Sequence, residues 1–421
     1  MNQIKLSKII HSLLLSLPIL IVVGNFALNT GIVICILLFF YNYKLKKLYE
    51  EYKKILKYSF LVFLFFIINI LNSNSFEISA GSFLGFFKSI LLIFIFYFFL
   101  KENKKFFKNF SRFLFWVLVI ISIDGFIQYF FGKNILGYEI ISSHGKRLGG
   151  FFGKELILGS YLTKLLFISL LFLDHSKYRI IHIITILYFL VLIFLTNERM
   201  ASVNMLLATI IFFTFNPYFN IKKKLAIFFI TILLLTASFL ADKNLKKHFI
   251  DRTFDQIGIT HNEPIRAHYS FWDSQWGAHF LTSIEIWKDH PFLGSGLHTF
   301  RKVCSYQQYE NIKSVEFKNR CNTHPHNFYL EILSELGLPF LIIFIMLHIY
   351  FFLIFQIKYI KYKSDRFKSL CLICCFFILF QPIQTTGAYF SSTGGFFYII
   401  NYAYFLYYLF YYKPIKKLSF H

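Results

Sequence analysis

Blocks of roughly 16–20 apolar residues recur along the whole chain, separated by short polar stretches, and this repetition limits the possible folds most severely. FLVFLFFIINIL (60–71), ILLIFIFYFFL (90–100) and LAIFFITILLLTASFLA (225–241) are examples. A segment of this kind is the length a helix needs to cross the hydrocarbon core. Lipid offers no water to satisfy exposed backbone groups, so such segments must be helical. The 421 residues are 57% hydrophobic and 21% aromatic, with 59 phenylalanines and 27 tyrosines, more than globular domains carry. The chain is therefore expected to be an all-α polytopic membrane protein. No Gly/Ser linker, coiled coil or short-period repeat interrupts the series, which reads as one membrane domain. The first apolar block lacks a small-residue cleavage site and a second follows closely, so no cleaved signal is expected.

A formal net charge of +23 would suggest nucleic acid in a soluble protein. Its placement argues otherwise. Lysines and arginines gather in KLKKLYEEYKK (44–54), KENKKFFK (101–108), IKKK (221–224), KYIKYKSDRFK (358–368) and KPIKK (413–417). These loops alternate with NSNSFEISAGS (73–83) and TTGAYFSSTGG (385–395), which carry neither residue. This is the positive-inside pattern, with attraction to anionic membrane lipids and no nucleic-acid partner.

The map that results has about 12 spans and both termini on the cytoplasmic side. They lie near 9–26, 28–43, 58–72, 84–100, 112–131, 155–173, 180–196, 201–217, 225–241, 338–356, 369–384 and 396–412. The chain divides into residues 1–241, a large outer loop at 242–337 that carries the motif, and residues 338–421. Two outer segments, 132–154 and 242–335, carry basic residues against the sorting rule. Cys35, Cys371, Cys374 and Cys375 fall within spans and read as core packing. Cys304 and Cys321 share the large loop, where an oxidising compartment would join them in a disulfide.

That loop holds His248, His261, His268, His279, His290, His298, His324 and His326, with Arg252, Arg266 and Arg301. SIEIWKDHPFLGSGLHTF (283–300) reads as an amphipathic interfacial helix ended by Pro291, followed by a turn at Gly294 and Gly296. GSG lacks the lysine and spacing of a phosphate loop. In NTHPHNFYLEILSELGLP (322–339), Pro325 favours a helix start near His326. Asn327, Glu331, Ser334 and Glu335 share one face of that helix, and Gly337 and Pro339 bend it. A histidine at such a helix start has the titration range of a general base, although most histidines at loop–helix junctions are structural. HPH alone does not define a tetrahedral metal site, and no metal is expected.

His326–Asn327, nine residues and Gly337 resemble the His-[Asn/Ser/Gln]-x9-Gly signature of the bacterial O-antigen ligase and polymerase superfamily. HPFLGSG (290–296) resembles its PxxGxG element, and the topology is similar along the whole chain. The motif resemblance covers roughly residues 140–345; Phe340 departs from the Gly, Thr or Tyr usual three residues after the glycine.

The resemblance implies a cofactor- and metal-independent glycosyltransferase at the periplasmic face of the inner membrane. Its donor would be an undecaprenyl-pyrophosphate-linked glycan; its acceptor would be a lipid A–core sugar for a ligase, or a second lipid-linked glycan for a polymerase. Carried over, the base is His326 and the orienting amide Asn327. Arg147, in HGKRLGGFFGKELILGSYL (144–162), and Arg199, in TNERMAS (196–202), resemble the basic elements that hold the diphosphate. Many members have an arginine in the helix before PxxGxG. WGAHFLTSIEIW (276–287) has none, so His279, Arg266 or Arg301 would replace it, with His324 as a neighbour of the base. Transfer of oligosaccharide to protein also falls within this superfamily. A non-enzymatic transporter or flippase of lipid-linked sugars is the competing class. It would place charges deep in the spans, where this chain has only Lys88, Asp124 and Lys164.

Overall fold

The computed structural model describes residues 3–141, 146–173, 179–256, 270–312, 314, 316–362, 366–384 and 387–411. Nine helices come first: α1 (Gln3–Val23), α2 (Asn25–Asn42), α3 (Leu45–Leu71), α4 (Phe76–Glu102), α5 (Lys104–Phe131), α6 (Leu158–Ser169), α7 (Arg179–Leu195), α8 (Arg199–Phe215) and α9 (Ile221–Ala241). Short helices α10 (Lys243–Lys246) and α11 (Arg252–Gln256) lead to α12 (Gln275–Asp289) and α13 (Phe300–Val303). The chain closes with α14 (Phe328–Lys361), α15 (Arg366–Phe380) and α16 (Ser392–Leu406). Among the described residues there is no extended strand, only isolated antiparallel bridges at Lys133–Glu139 and Ile141–Arg147.

The protein is thus all-α. Six helices are long and apolar enough to cross a membrane: Ile4–Val23, Asn25–Asn42, Phe76–Glu102, Lys105–Phe131, Ile221–Ala241 and Phe328–Lys361. Phe60–Leu71, Leu158–Phe172, Ile180–Leu195 and Arg199–Phe215 are apolar but shorter. Helix ends differ from the sequence expectation where good helix formers continue past the grease. Thus α3 starts at Leu45 rather than near 58, with Leu48 and Tyr52 buried one turn apart.

The expected helix at 283–300 begins earlier and ends sooner. Ser274 caps α12, its Oγ accepting from the Gly277 N–H at 3.2 Å, and the helix stops at Asp289 before Pro291. The start expected near His326 shifts by two residues. Asn327 is the N-cap of α14, and its side-chain oxygen accepts from the Tyr329 and Leu330 N–H groups at 3.0 and 3.2 Å. Gly337 then breaks the helix at φ 80°, a left-handed geometry that favours glycine.

Packing joins α1 to α2, α4 to α16, and α12 to α14, while α15 lies against α6, α8 and α14. The HPFLGSG segment docks along the first turns of α14 by backbone pairing. Ser295 N–H donates to the Ser334 carbonyl at 2.9 Å, Gly296 N–H to Glu335 at 3.1 Å, and Leu338 N–H to Pro291 at 2.9 Å. The backbones approach so closely that a Cβ on Gly294 would lie 2.2 Å from the Glu335 carbonyl carbon. One on Gly337 would lie 2.3 Å from the Phe292 oxygen.

A buried asparagine from α3 ties this contact to the bundle. Asn69 Nδ2 donates to the Leu293 and Glu335 carbonyls at 2.6 and 2.9 Å, and its Oδ1 accepts from Leu297 N–H at 3.0 Å. Glu335 completes the joint: its carboxylate accepts from the His298 and Phe300 N–H groups at 2.6 and 3.0 Å. Replacing Asn69 with alanine strands three buried groups. Since such groups cost about 1–3 kcal/mol each, Asn69→Ala is expected to destabilise the detergent-solubilised protein by about 3 kcal/mol. Thermal or denaturant unfolding measures this; a loss below about 1 kcal/mol contradicts the role.

Candidate functional site

Two groups of basic and imidazole side chains stand out. The first lies at the turn between α7 and α8. Leu148 N–H donates to the Thr196 carbonyl at 3.4 Å, which brings the neighbouring Arg147 to that turn. Arg199, the first residue of α8, donates to Thr253 Oγ1 at 3.0 Å, so it meets α11 beside Arg252. Phe194 stacks on Phe249 at 4.5 Å between ring centroids and brings His248 to the same place. The His248 imidazole is pushed down to about 4, by burial first and then by the positive charges of Arg199, Arg252 and Arg147.

The nearest acid in this group does not neutralise it. Glu198 turns towards α6, where its carboxylate accepts from Gly159 N–H at 2.6 Å and from Ser160 N–H and Oγ at 3.1 and 2.9 Å. It acts as a cap for that helix N-terminus. Arg147 spends one N–H on the Leu156 carbonyl at 3.0 Å, and its buried Nε has no hydrogen-bond partner. Among the described residues, no carboxylate lies within ion-pair distance of Arg147, Arg199 or Arg252. Three guanidinium groups so arranged suit a ligand with several anionic oxygens.

The second group surrounds the start of α14. His326 sits at φ 60°, a left-handed conformation that is rare outside glycine and frequent at functional sites. Its ring lies 4.2 Å from that of His324 and 5.3 Å from that of His279, centroid to centroid. Trp276 meets it edge-on at 4.8 Å. Asn322 Nδ2 lies 3.1 Å from His326 Nε2, and Thr323 Oγ1 lies 2.9 Å from His324 Nδ1. Arg301 joins this group through a hydrogen-bond contact with His298 Nε2, and His298 in turn lies near enough to sense the charge of His324. Cys304 and Cys321 form a disulfide with a Cα–Cα distance of 5.3 Å, one residue before Asn322.

A polar chain links the two groups. Asn327 Nδ2 donates to the Pro382 and Gln384 carbonyls at 3.0 and 3.3 Å. The Gln384 side-chain oxygen accepts from Asn204 in α8 at 2.9 Å, and Gln381 Nε2 donates back to Asn204 at 3.0 Å. Asn204 lies just over one turn beyond Arg199 on the same helix.

Residues 184–345 match the family model described as O-antigen ligase, a stretch that spans α7 to the first half of α14. The chain belongs to the O-antigen ligase and polymerase superfamily. Its members are glycosyltransferase-like ligases and polymerases, so this is a multi-pass membrane enzyme of that kind acting on lipid-linked glycans. No curated protein matches the chain.

For an O-antigen ligase-type protein, the structure distributes the residues singled out in the sequence in an informative way. Arg147 and Arg199 come together; His279, His324 and His326 come together; Arg301 belongs to the second group, and Arg266 lies outside the described residues. His279 is fully buried, and burial lowers its pKa to about 4 against a weaker opposing pull from the Asn319 backbone. It is therefore uncharged near pH 7 and cannot supply the cation missing from its helix. Arg252 and His248 fill that place and had no role assigned from sequence. Their signal was the basic run KNLKKHFIDR (243–252) directly after α9, on the side where the sorting rule disfavours such charge. Among the described residues, no group of three or more metal-ligating side chains is gathered.

The buried histidine gives the site a pH signature. The folded state holds His279 at about 4, below its ordinary 6.5, so the unfolded chain takes up the proton first. Stability from this residue is present above pH 6.5 and is lost as pH falls from there towards 4. Replacement by leucine removes that term. His279→Leu is expected to lose less stability than wild type over this window, by about 2 kcal/mol at pH 4, in parallel unfolding curves.

Proposed function

We propose that this enzyme transfers a glycan from an undecaprenyl-pyrophosphate carrier to a lipid A–core acceptor at the periplasmic face of the inner membrane, as an O-antigen ligase. In this reading the twelve long helices other than α12 are the spans, both termini are cytoplasmic, and residues 242–337 form the periplasmic loop. The observation that carries the proposal is the trio Arg147, Arg199 and Arg252, gathered without an ion-pair partner beside Glu198, which is committed to α6. A lipid-linked diphosphate presents the anionic oxygens such a trio would bind.

His326 is the general base. The acceptor hydroxyl oxygen bonds to the anomeric carbon as the bond from that carbon to the diphosphate oxygen breaks. His326 takes the hydroxyl proton, and the diphosphate leaves on its polyprenyl chain with its charge set against the three arginines. Asn327 is an orienting residue: its side chain fixes the start of α14 and ties it to the loop after α15. The same site serves a polymerase, whose acceptor is a second lipid-linked repeat.

His326→Ala is expected to abolish transfer with protein level and membrane insertion unchanged; full activity in that variant removes the base assignment. Arg252→Ala is expected to raise KM for the lipid-linked donor about tenfold or more, the loss of one charge-assisted contact. An unchanged KM assigns the arginine trio another purpose. Activity is expected to persist in a strong chelator. Product analysis of a deletion strain separates the two activities. Lipopolysaccharide without any O-antigen, with lipid-linked polymer accumulating, marks a ligase; core bearing a single repeat marks a polymerase.

A further inference from the structure

We infer that Asn322 is the positioning residue for His326: held in register by the Cys304–Cys321 disulfide, it hydrogen-bonds Nε2 and makes that nitrogen the proton acceptor. The inference rests on the reading of His326 as the base. Its geometry is local and complete. The Asn322 side-chain oxygen accepts from Thr323 N–H at 2.7 Å, an Asx-type contact one residue along. With the oxygen committed there, the amide nitrogen is the atom that faces His326 Nε2 at 3.1 Å. An amide N–H can only donate, so the Nε2 lone pair receives it and the neutral ring carries its proton on Nδ1.

The tether comes from the preceding residues. Cys321 is bonded to Cys304, which is fully buried against Phe300 and Val303 of α13 and Ile286 of α12. Arg320 adds a second hold, Nε donating to the Cys304 carbonyl at 3.0 Å and Nη2 pairing with Glu310 at 3.7 Å. Asn322 therefore leaves a fixed point on the loop core and arrives at His326, whose ring Trp276 meets edge-on.

The contact sets when His326 accepts a proton. Donation to Nε2 stabilises the neutral ring, and protonation at Nε2 would set donor against donor. The other groups around the ring leave Asn322 as the local control. His279 on α12 is buried and uncharged near pH 7, and His324 is tied to Thr323. Arg301 and His298 engage each other. Glu331, the first carboxylate along α14, accepts from Tyr389 N–H at 2.9 Å.

The test is the pH profile of kcat/KM for transfer from a lipid-linked donor by the purified full-length protein in detergent. Asn322→Asp places a carboxylate opposite Nε2, and the acid limb is expected to move up by about 1 pH unit or more. Asn322→Ala removes the donor and moves the limb in the same direction by less. A purely structural role lowers the rate equally at every pH, so an unmoved limb in both variants overturns the inference. Wild-type protein reduced with dithiothreitol supplies a readout that needs no folded variant: its limb is expected to rise as well. An unmoved limb after verified loss of the disulfide overturns the tether. Activity in His326→Ala would instead defeat the base assignment, which keeps the two failures apart.

Discussion

The structure depends on one joint: the docking of residues 291–300 onto the first turns of α14. Backbone groups of the loop segment pair with Ser334, Glu335 and Leu338, and glycines at 294 and 337 let the two chains approach to a distance that any Cβ would forbid. Asn69 satisfies the carbonyls and N–H that the joint would otherwise bury unpaired. Fixed in this way, α14 has one possible origin, and its N-cap Asn327 places His326 at its entrance. An irregular segment of this kind is stable beside a membrane only if every backbone group finds a partner.

A division of labour among charged residues follows. The buried acids near both groups serve the scaffold: Glu198 caps α6, Glu335 holds the His298–Phe300 backbone, and Glu331 accepts from Tyr389. Because the carboxylates are spent on N–H groups, the arginines at the α7–α8 turn keep their charge available. The imidazoles in the site are kept neutral by burial, which suits one of them to accept a proton without repulsion from the others. Anion binding and proton transfer are thus held in separate places, and Asn204, Gln381 and Gln384 connect them.

Much of this was legible in the residues. His326 and Asn327 were recognisable from their spacing to Gly337, the Cys304–Cys321 pairing from its shared loop, and Arg147 and Arg199 from basic charge where sorting disfavours it. Arg252 and His248 were visible as a basic run after α9, yet nothing local connects them to Arg199, which is more than forty positions earlier. The boundaries of α3 and α12 were misjudged because apolar blocks mark the greasy part of a helix, and charged helix formers or a Ser cap extend it beyond that part. Asn69 gave no signal at all, being one polar residue inside an apolar block.

The sequence by itself determined the class of the molecule and the identity of its motif. Apolar block length and lysine placement follow from the cost of polar groups in lipid, which acts on each segment independently of the rest. Only the tertiary structure decided which arginines meet, which carboxylates are already used, and that Asn322 faces His326. Those are contacts between distant segments or details of hydrogen-bond direction, and burial with backbone pairing settles them once the helices are packed.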